Sequence, residues 1–404
     1  MTTPSKPASL IACHATAFFS LGQIQMAALL MPLWGLSLGA SAGLIGLMIG
    51  LRSLLPTCFA IHAGSLMDMV GARAVLIWVA VMQLVVAVIF PFLTSIWLAI
   101  ALQLIAGFAQ SIAWVGAQAQ IGQVARGDAT AAGRFSFCAN IGAFAAPLAV
   151  GIAWDTGGHW AGFSLMAAWA LGLLVAALKA PVVIPRGQGL TSTRLLIPRT
   201  SDYVEALRLL AYPLVAVVVV ATFVRIAVVG IQGSFYPVYL EGAGISATLI
   251  GILIGAGSLA AGAGSLSAGG VVRRFGEGRV LVAAVASTVV AIAITPLLPN
   301  YATLMMFAIL MGAGIGLSLV GVMTVMSNAV GPEMQGRGVG LRSTTNNLSW
   351  MVVPVLMGAM VELVGLENAF YWAGIALAVL VLCMLYMLRR RPRKAVPDAA
   401  ADRR

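Results

Sequence analysis

Continuous apolar runs of about twenty residues or more recur along the whole chain, and they decide which solvent it can fold in. Read from hydropathy and turn residues, they cover 10–36, 44–67, 74–94, 97–121, 133–155, 161–180, 211–239, 247–271, 279–298, 302–328, 340–363 and 368–388. Hydrocarbon offers no water to a bare amide or carbonyl, so each run is expected to be a helix that satisfies its own backbone. Composition agrees: 61% of the 404 residues are hydrophobic and 9% are charged, too few charges to cover a soluble surface. The expected fold is an all-α membrane protein of twelve transmembrane helices. The run 10–36 is longer than the core of a cleavable signal and lacks a clean small-residue cleavage site, so it reads as a retained first helix.

A net charge of +11 would suggest nucleic acid if the chain were soluble, but the positions of the charges argue otherwise. The loops 37–43, 95–96, 156–160, 240–246, 299–301 and 364–367 hold no lysine or arginine. Apart from Arg52 and Arg225, the basic residues lie at the N-terminus, in the even-numbered loops and the helix ends bordering them, in the middle segment and in the tail 389–404. The positive-inside rule then predicts a multi-pass inner-membrane protein with both termini cytoplasmic. The basic tail follows a span directly, so membrane lipid headgroups are its expected partner and nucleic acid is not. The predicted divisions are a first six-helix half over 1–180, a linker over 181–210, a second half over 211–388 and the tail. In the linker, Asp202 and Glu205 mark the start of a short interfacial helix as the alternative to a plain connection. Cys13, Cys58, Cys138 and Cys383 stand singly within apolar runs, which reads as packing and leaves no metal or redox site.

The two halves are copies. Shifted by about 205 residues, the segment from Pro32 overlies the one from Pro237, with Gly39, Ser41, Ala42, Gly46, Gly50 and Ser53 recurring identically. Gly71 likewise meets Gly276. A shift of about 207 carries Gly133, Ser136, Asn140, Pro147, Gly151 and Gly158 onto Gly340, Ser343, Asn347, Pro354, Gly358 and Gly365, and brings Asp155 onto Glu362. Two six-helix repeats related by a pseudo-twofold axis along the membrane normal are an arrangement secondary transporters use.

The loop after the second span reads Gly64-Ser-Leu-Met-Asp68-Met-Val-Gly71-Ala-Arg73. It resembles the signature loop of the major facilitator superfamily, and with the duplication and the twelve spans the resemblance covers essentially the whole chain. It implies the major facilitator fold and a conformational latch formed by Gly64, Asp68, Gly71 and Arg73 on the cytoplasmic side. Met69 and Ala72 replace basic residues that the family usually carries, and the second copy has Arg273 at the acid position. The Arg common in span four is Gln103 here, and the Gly-Pro of drug antiporters in span five is Ala146-Pro147.

No carboxylate lies in the middle of a span, but two arginines do: Arg52 in span two and Arg225 in span seven. Such a charge is costly in hydrocarbon and needs water, backbone carbonyls, neutral amides or an anionic substrate around it. The family resemblance implies that the first, second, fourth and fifth helices of each half face a central cavity, which places both arginines there. Polar residues on the same helices complete the candidate substrate site: Gln25, Gln110, Trp114, Asn140, Gln232, Tyr236 and Asn347. Gln103, Gly107, Gln110, Trp114 and Gln118 share one face of span four. Each amide has helix packing as its alternative role, and so do the tryptophans. Arg342, at the start of span eleven, is expected to face headgroups. His14 and His62 sit near the cytoplasmic ends of their spans.

The expected function is therefore a secondary transporter of a small organic anion working by alternating access as a monomer. It needs no cofactor, metal or catalytic residue, and is coupled to a proton or to an exchanged solute. The alternative is efflux of lipophilic drugs. No nucleophile motif or phosphate-binding loop supports an enzyme or an ATP-driven pump.

Overall fold

The computed structural model describes residues 7–59, 67, 70–125, 128–182, 211–329 and 335–389. Among them the regular structure is helical throughout: α1 (Pro7–Ser37), α2 (Ala42–Leu51), α3 (Ala72–Ile89), α4 (Ile96–Ala125), α5 (Ala129–Lys179), α6 (Pro213–Gln232), α7 (Phe235–Gly242), α8 (Ala247–Phe275), α9 (Glu277–Ala293), α10 (Tyr301–Ala329), α11 (Gln335–Val364) and α12 (Leu366–Arg389). Ten stretches among the described residues are long and apolar enough to cross a bilayer. One of them, Thr130–Lys179, is two spans joined across a kink at Gly157 and Gly158, whose backbone angles are not helical. With α9, whose 17 residues run on into the 3-10 turn Thr295–Leu297, the bundle reaches the expected twelve.

Four spans differ from a plain hydropathy reading. Span two breaks after Leu51 and resumes as a short helical piece over 54–59. Span seven is two helices, α6 and α7, separated at Gly233 and Ser234. Spans five and six are separated by only two non-helical residues where a five-residue loop was expected. Hydropathy averages over about twenty residues and cannot see a break that leaves the polarity unchanged. The linker beyond 182 and the tail beyond Arg389 lie outside the described residues, as do His62, Gly64 and Asp68.

The duplication is written into the backbone. Among the described residues, the glycines with positive φ are Gly39, Gly71 and Gly158 in the first copy and their repeat mates Gly244, Gly276 and Gly365 in the second. Gly71 (φ 94°) and Gly276 (φ 86°) each precede a helix, a conformation that a side chain would strain. Ser41 and Ser246, also repeat mates, cap the helices that follow by accepting from the amides of Leu44 and Leu249, each at 3.4 Å. The 3-10 turns Phe90–Phe92 and Thr295–Leu297 end the third helix of each copy.

By its contacts the chain forms two compact units. Unit 1 holds residues 1–197, 233–259 and 354–359, and unit 2 holds 198–232, 260–353 and 360–404. The units therefore do not coincide with the repeats, because α7, the first part of α8 and a short stretch of α11 belong with the first half. Within unit 1, α1 lies against α5, and α3 packs on both α4 and α5. Leu76 and Val79 of α3, Ala109 and Ala113 of α4, and Leu173 and Ala177 of α5 form one buried cluster. Trp34, Phe90 and Phe163 close α1, α3 and α5 together, with ring centroids 5.3–5.4 Å apart. Within unit 2, α9 packs along α10, and α6 lies among α9, α10 and α12. Lipid tails are as apolar as leucine, so close packing and hydrogen bonds hold these helices together rather than the hydrophobic effect.

Candidate functional site

In unit 1 the break in span two falls on Arg52 itself. Its helix stops at Leu51, Ser53 donates back to the carbonyl of Gly50 at 3.1 Å, and the helix restarts as Thr57 donates to Ser53 at 3.0 Å. At the same level α4 carries Gly107, where a Cβ would strike the Arg52 carbonyl, so the two backbones cross in contact. That crossing places the Arg52 guanidinium beside α4, where it donates to Oε1 of Gln110 at 3.0 Å. Arg52 is 9% exposed and Gln110 2%. A neutral amide is thus among the groups that surround this arginine. Gln103, one turn before Gly107, is also buried, and among the described residues neither of its amide atoms has a partner. An unsatisfied buried amide is costly, which makes Gln103 a polar group without compensation among the described residues.

Gln25 donates to the Ser258 hydroxyl at 3.0 Å, and that hydroxyl donates to the Ile254 carbonyl. Tyr236 is buried in α7. Trp114 is half-buried and stacks on Phe135 beside the Cys13–Ala17–Ala139 cluster, while the Asn140 amide donates to the Ser136 carbonyl of its own helix at 2.8 Å. On α4, Gln118 is exposed. Its neighbour Gln120 is buried and accepts from the Thr16 hydroxyl at 3.5 Å.

In unit 2, Arg225 sits in α6, 7% exposed, with no hydrogen-bond partner for its Nε among the described residues. Arg342 of α11 lies close enough for its charge to bear on Arg225. Arg342, expected to face headgroups, is half-buried, and its charge lies within range of the other guanidinium. A hydropathy reading places Arg342 at a helix start, where a basic residue normally meets lipid phosphate, and carries no sign of this coupling. Gln232, the last residue of α6, and Asn347, in α11, are half-buried in the same unit.

Of the latch residues, Gly71 opens α3 in its positive-φ conformation. Arg73 reaches the end of α5, donating from Nε to the Ala177 carbonyl at 3.3 Å and from its terminal nitrogen to Leu178 at 2.6 Å. A guanidinium on the last carbonyls of a helix both satisfies them and meets the negative end of its dipole.

These features define a duplicated, twelve-helix membrane protein with a buried arginine in each unit. The profile of the Major Facilitator Superfamily matches residues 13–217 and again 218–404. The chain belongs to that family. Among curated proteins it is similar to the quinolone resistance protein NorA of Staphylococcus aureus (strain MRSA252), 23% identical over 167 residues. The aligned part is 41% of this chain and 42% of that protein. Among solved structures it is similar to the nucleoside transporter NupG, with a TM-score of 0.79 at 14% identity over 95% of this chain and 99% of the other. It is also similar to a bacterial homologue of the human lysosomal transporter Spinster, solved inward-facing and unoccupied, with a TM-score of 0.68 at 17% identity over 95% and 96% of the two chains. At these identities the solved structures speak for the fold alone.

Proposed function

We propose that this chain is a secondary transporter that carries a small organic anion across the inner membrane by alternating access, with both termini in the cytoplasm. The observation that carries the charge assignment is Arg225: a buried guanidinium in a membrane-spanning helix, its Nε without a hydrogen-bond partner among the described residues, and a second guanidinium within electrostatic range. Hydrocarbon does not tolerate such a group without compensation, and a visiting carboxylate, phosphate or sulfonate supplies it. Arg52, which donates to the Gln110 amide, is a second buried guanidinium, in unit 1. Family membership and the duplicated fold support alternating access. The odd-numbered loops, which hold no lysine or arginine, support the orientation.

A second reading is efflux of lipophilic compounds, which the likeness to NorA favours. One experiment separates the two. Purified protein in liposomes is offered labelled organic anions chosen by a thermal-shift screen, and Arg225→Gln and Arg52→Gln are compared with the parent. The anion reading expects uptake that Arg225→Gln reduces at least ~10-fold in folded protein, about the worth of one charge-assisted hydrogen bond. Uptake unchanged in both variants, together with resistance to several cationic dyes in an expressing strain, establishes efflux instead.

A further inference from the structure

Two residues before the Gly157–Gly158 kink, the first half carries Asp155, and its carboxylate sits on the start of α8, which belongs to the second half. The amide of Ala247 donates to one carboxylate oxygen at 3.0 Å and that of Thr248 to the other at 2.8 Å. The first amides of a helix have no partner within the helix and carry its positive partial charge, so an anion straddling two of them is well held. It is not the cap the helix needs for itself. Ser246 already caps α8, in the manner of Ser41 on α2. The Asp155 carboxylate is an added contact from a segment more than ninety residues away in sequence, between the two copies of the repeat.

Below this contact the same two helices touch through glycine. A Cβ on Gly151 would strike the backbone of Ala247 and Thr248, one on Gly251 the Pro147 carbonyl, and one on Gly255 the ring and backbone of Phe144. Small residues let the two backbones approach this closely. The specific polar contact at the end of this smooth seam is the carboxylate. Asp155 is itself exposed, where water competes for it, which makes the contact strong enough to bias a conformation and weak enough to release.

We propose that Asp155 is a latch: it holds the ends of span five and α8 together in one state of the transport cycle and lets go in the other. The proposal rests on the alternating-access reading, in which the two halves part at this end. The carboxylate stands on the first repeat and its two amide donors on the second, both within unit 1, so parting of the repeats at this end breaks both hydrogen bonds.

The test places nitroxide labels at Ile152→Cys and Leu249→Cys, both exposed, in protein whose Cys58, Cys138 and Cys383 are replaced by Ser, and measures their separation by pulsed electron resonance in nanodiscs. The latch predicts a predominantly short distance in the parent. In Asp155→Asn and Asp155→Ala the ratio of long to short populations rises by roughly tenfold, the equivalent of a lost charge-assisted contact. Asp155→Glu, which keeps the charge, changes less. Gly151→Leu serves as a wedge that forces the seam apart. If the wedge creates a long population and the Asp155 variants do not, the latch is wrong and the two-state cycle stands. If none of the variants creates one, both the latch and the alternating-access reading fall.

Discussion

A buried arginine is defined by what neutralises it, and the two arginines of this chain are handled differently. Arg52 has an amide from the neighbouring helix, fixed by the crossing at Gly107. Arg225 has the charge of Arg342 within range. Two like charges brought together in a medium of low polarity repel, so the empty protein stores an unfavourable interaction that an anion between them would relieve. Arg342→Gln is therefore expected to act in opposite directions on two readouts. Without ligand it raises the melting temperature by a few degrees, about the effect of removing ~1 kcal/mol of repulsion. With the transported anion it weakens binding by about tenfold, since one of the attracting charges is gone. Melting curves with and without ligand check both. A lower melting temperature without ligand shows that Arg342 is held by favourable contacts and that the pair is no anion site. The sequence displays Arg225 as an anomaly because a charge amid valines stands out. It conceals Arg342, whose significance comes from a partner more than a hundred positions away.

Most helices were legible because a twenty-residue apolar run has no other stable form in lipid, whereas the breaks at Arg52–Ser53 and Gly233–Ser234 were not. The first of these breaks has a physical correlate in the α2–α4 crossing, where Gly107 lets the Arg52 backbone come into contact. Adding one methyl there cannot be absorbed by a flexible side chain, because the atom it meets is a backbone carbonyl. Gly107→Ala is expected to push α2 and α4 apart, stretch the Arg52–Gln110 bond and lower stability by about 1–3 kcal/mol, the usual cost of overpacking. Gly122→Ala on the same helix meets nothing within 4 Å and serves as the control, with a slight gain from the better helix former. Thermal unfolding of the two variants in detergent gives the comparison. Equal melting temperatures would mean that the crossing relaxes freely and does not position the arginine. On α4, spacing assigns Gln118 to the polar face, and packing buries Gln120 against Thr16.

Across the whole molecule, the repeat was the most informative feature of the sequence, and the backbone repeats it independently in the paired glycines, serine caps and 3-10 turns. A duplicated chain of twelve spans puts its odd-numbered connections at one end and its even-numbered connections at the other, whichever way it is inserted. Direction is a separate matter decided by charge: moving a loop rich in lysine and arginine outward opposes the membrane potential, at about 2.3 kcal/mol per charge per 100 mV. With every basic loop at the even end, reversal would oppose that potential many times over. Single cysteines test this directly. Thr94→Cys, exposed in the connection before α4, should react with a membrane-impermeant maleimide on intact cells. Thr130→Cys, exposed at the start of α5, should react at least tenfold less until the cells are permeabilised. The opposite pattern would invert the chain, carry Asp155 to the cytoplasmic end and exchange import for export in every scheme built on the orientation, while leaving the two-state cycle and both arginines where they are.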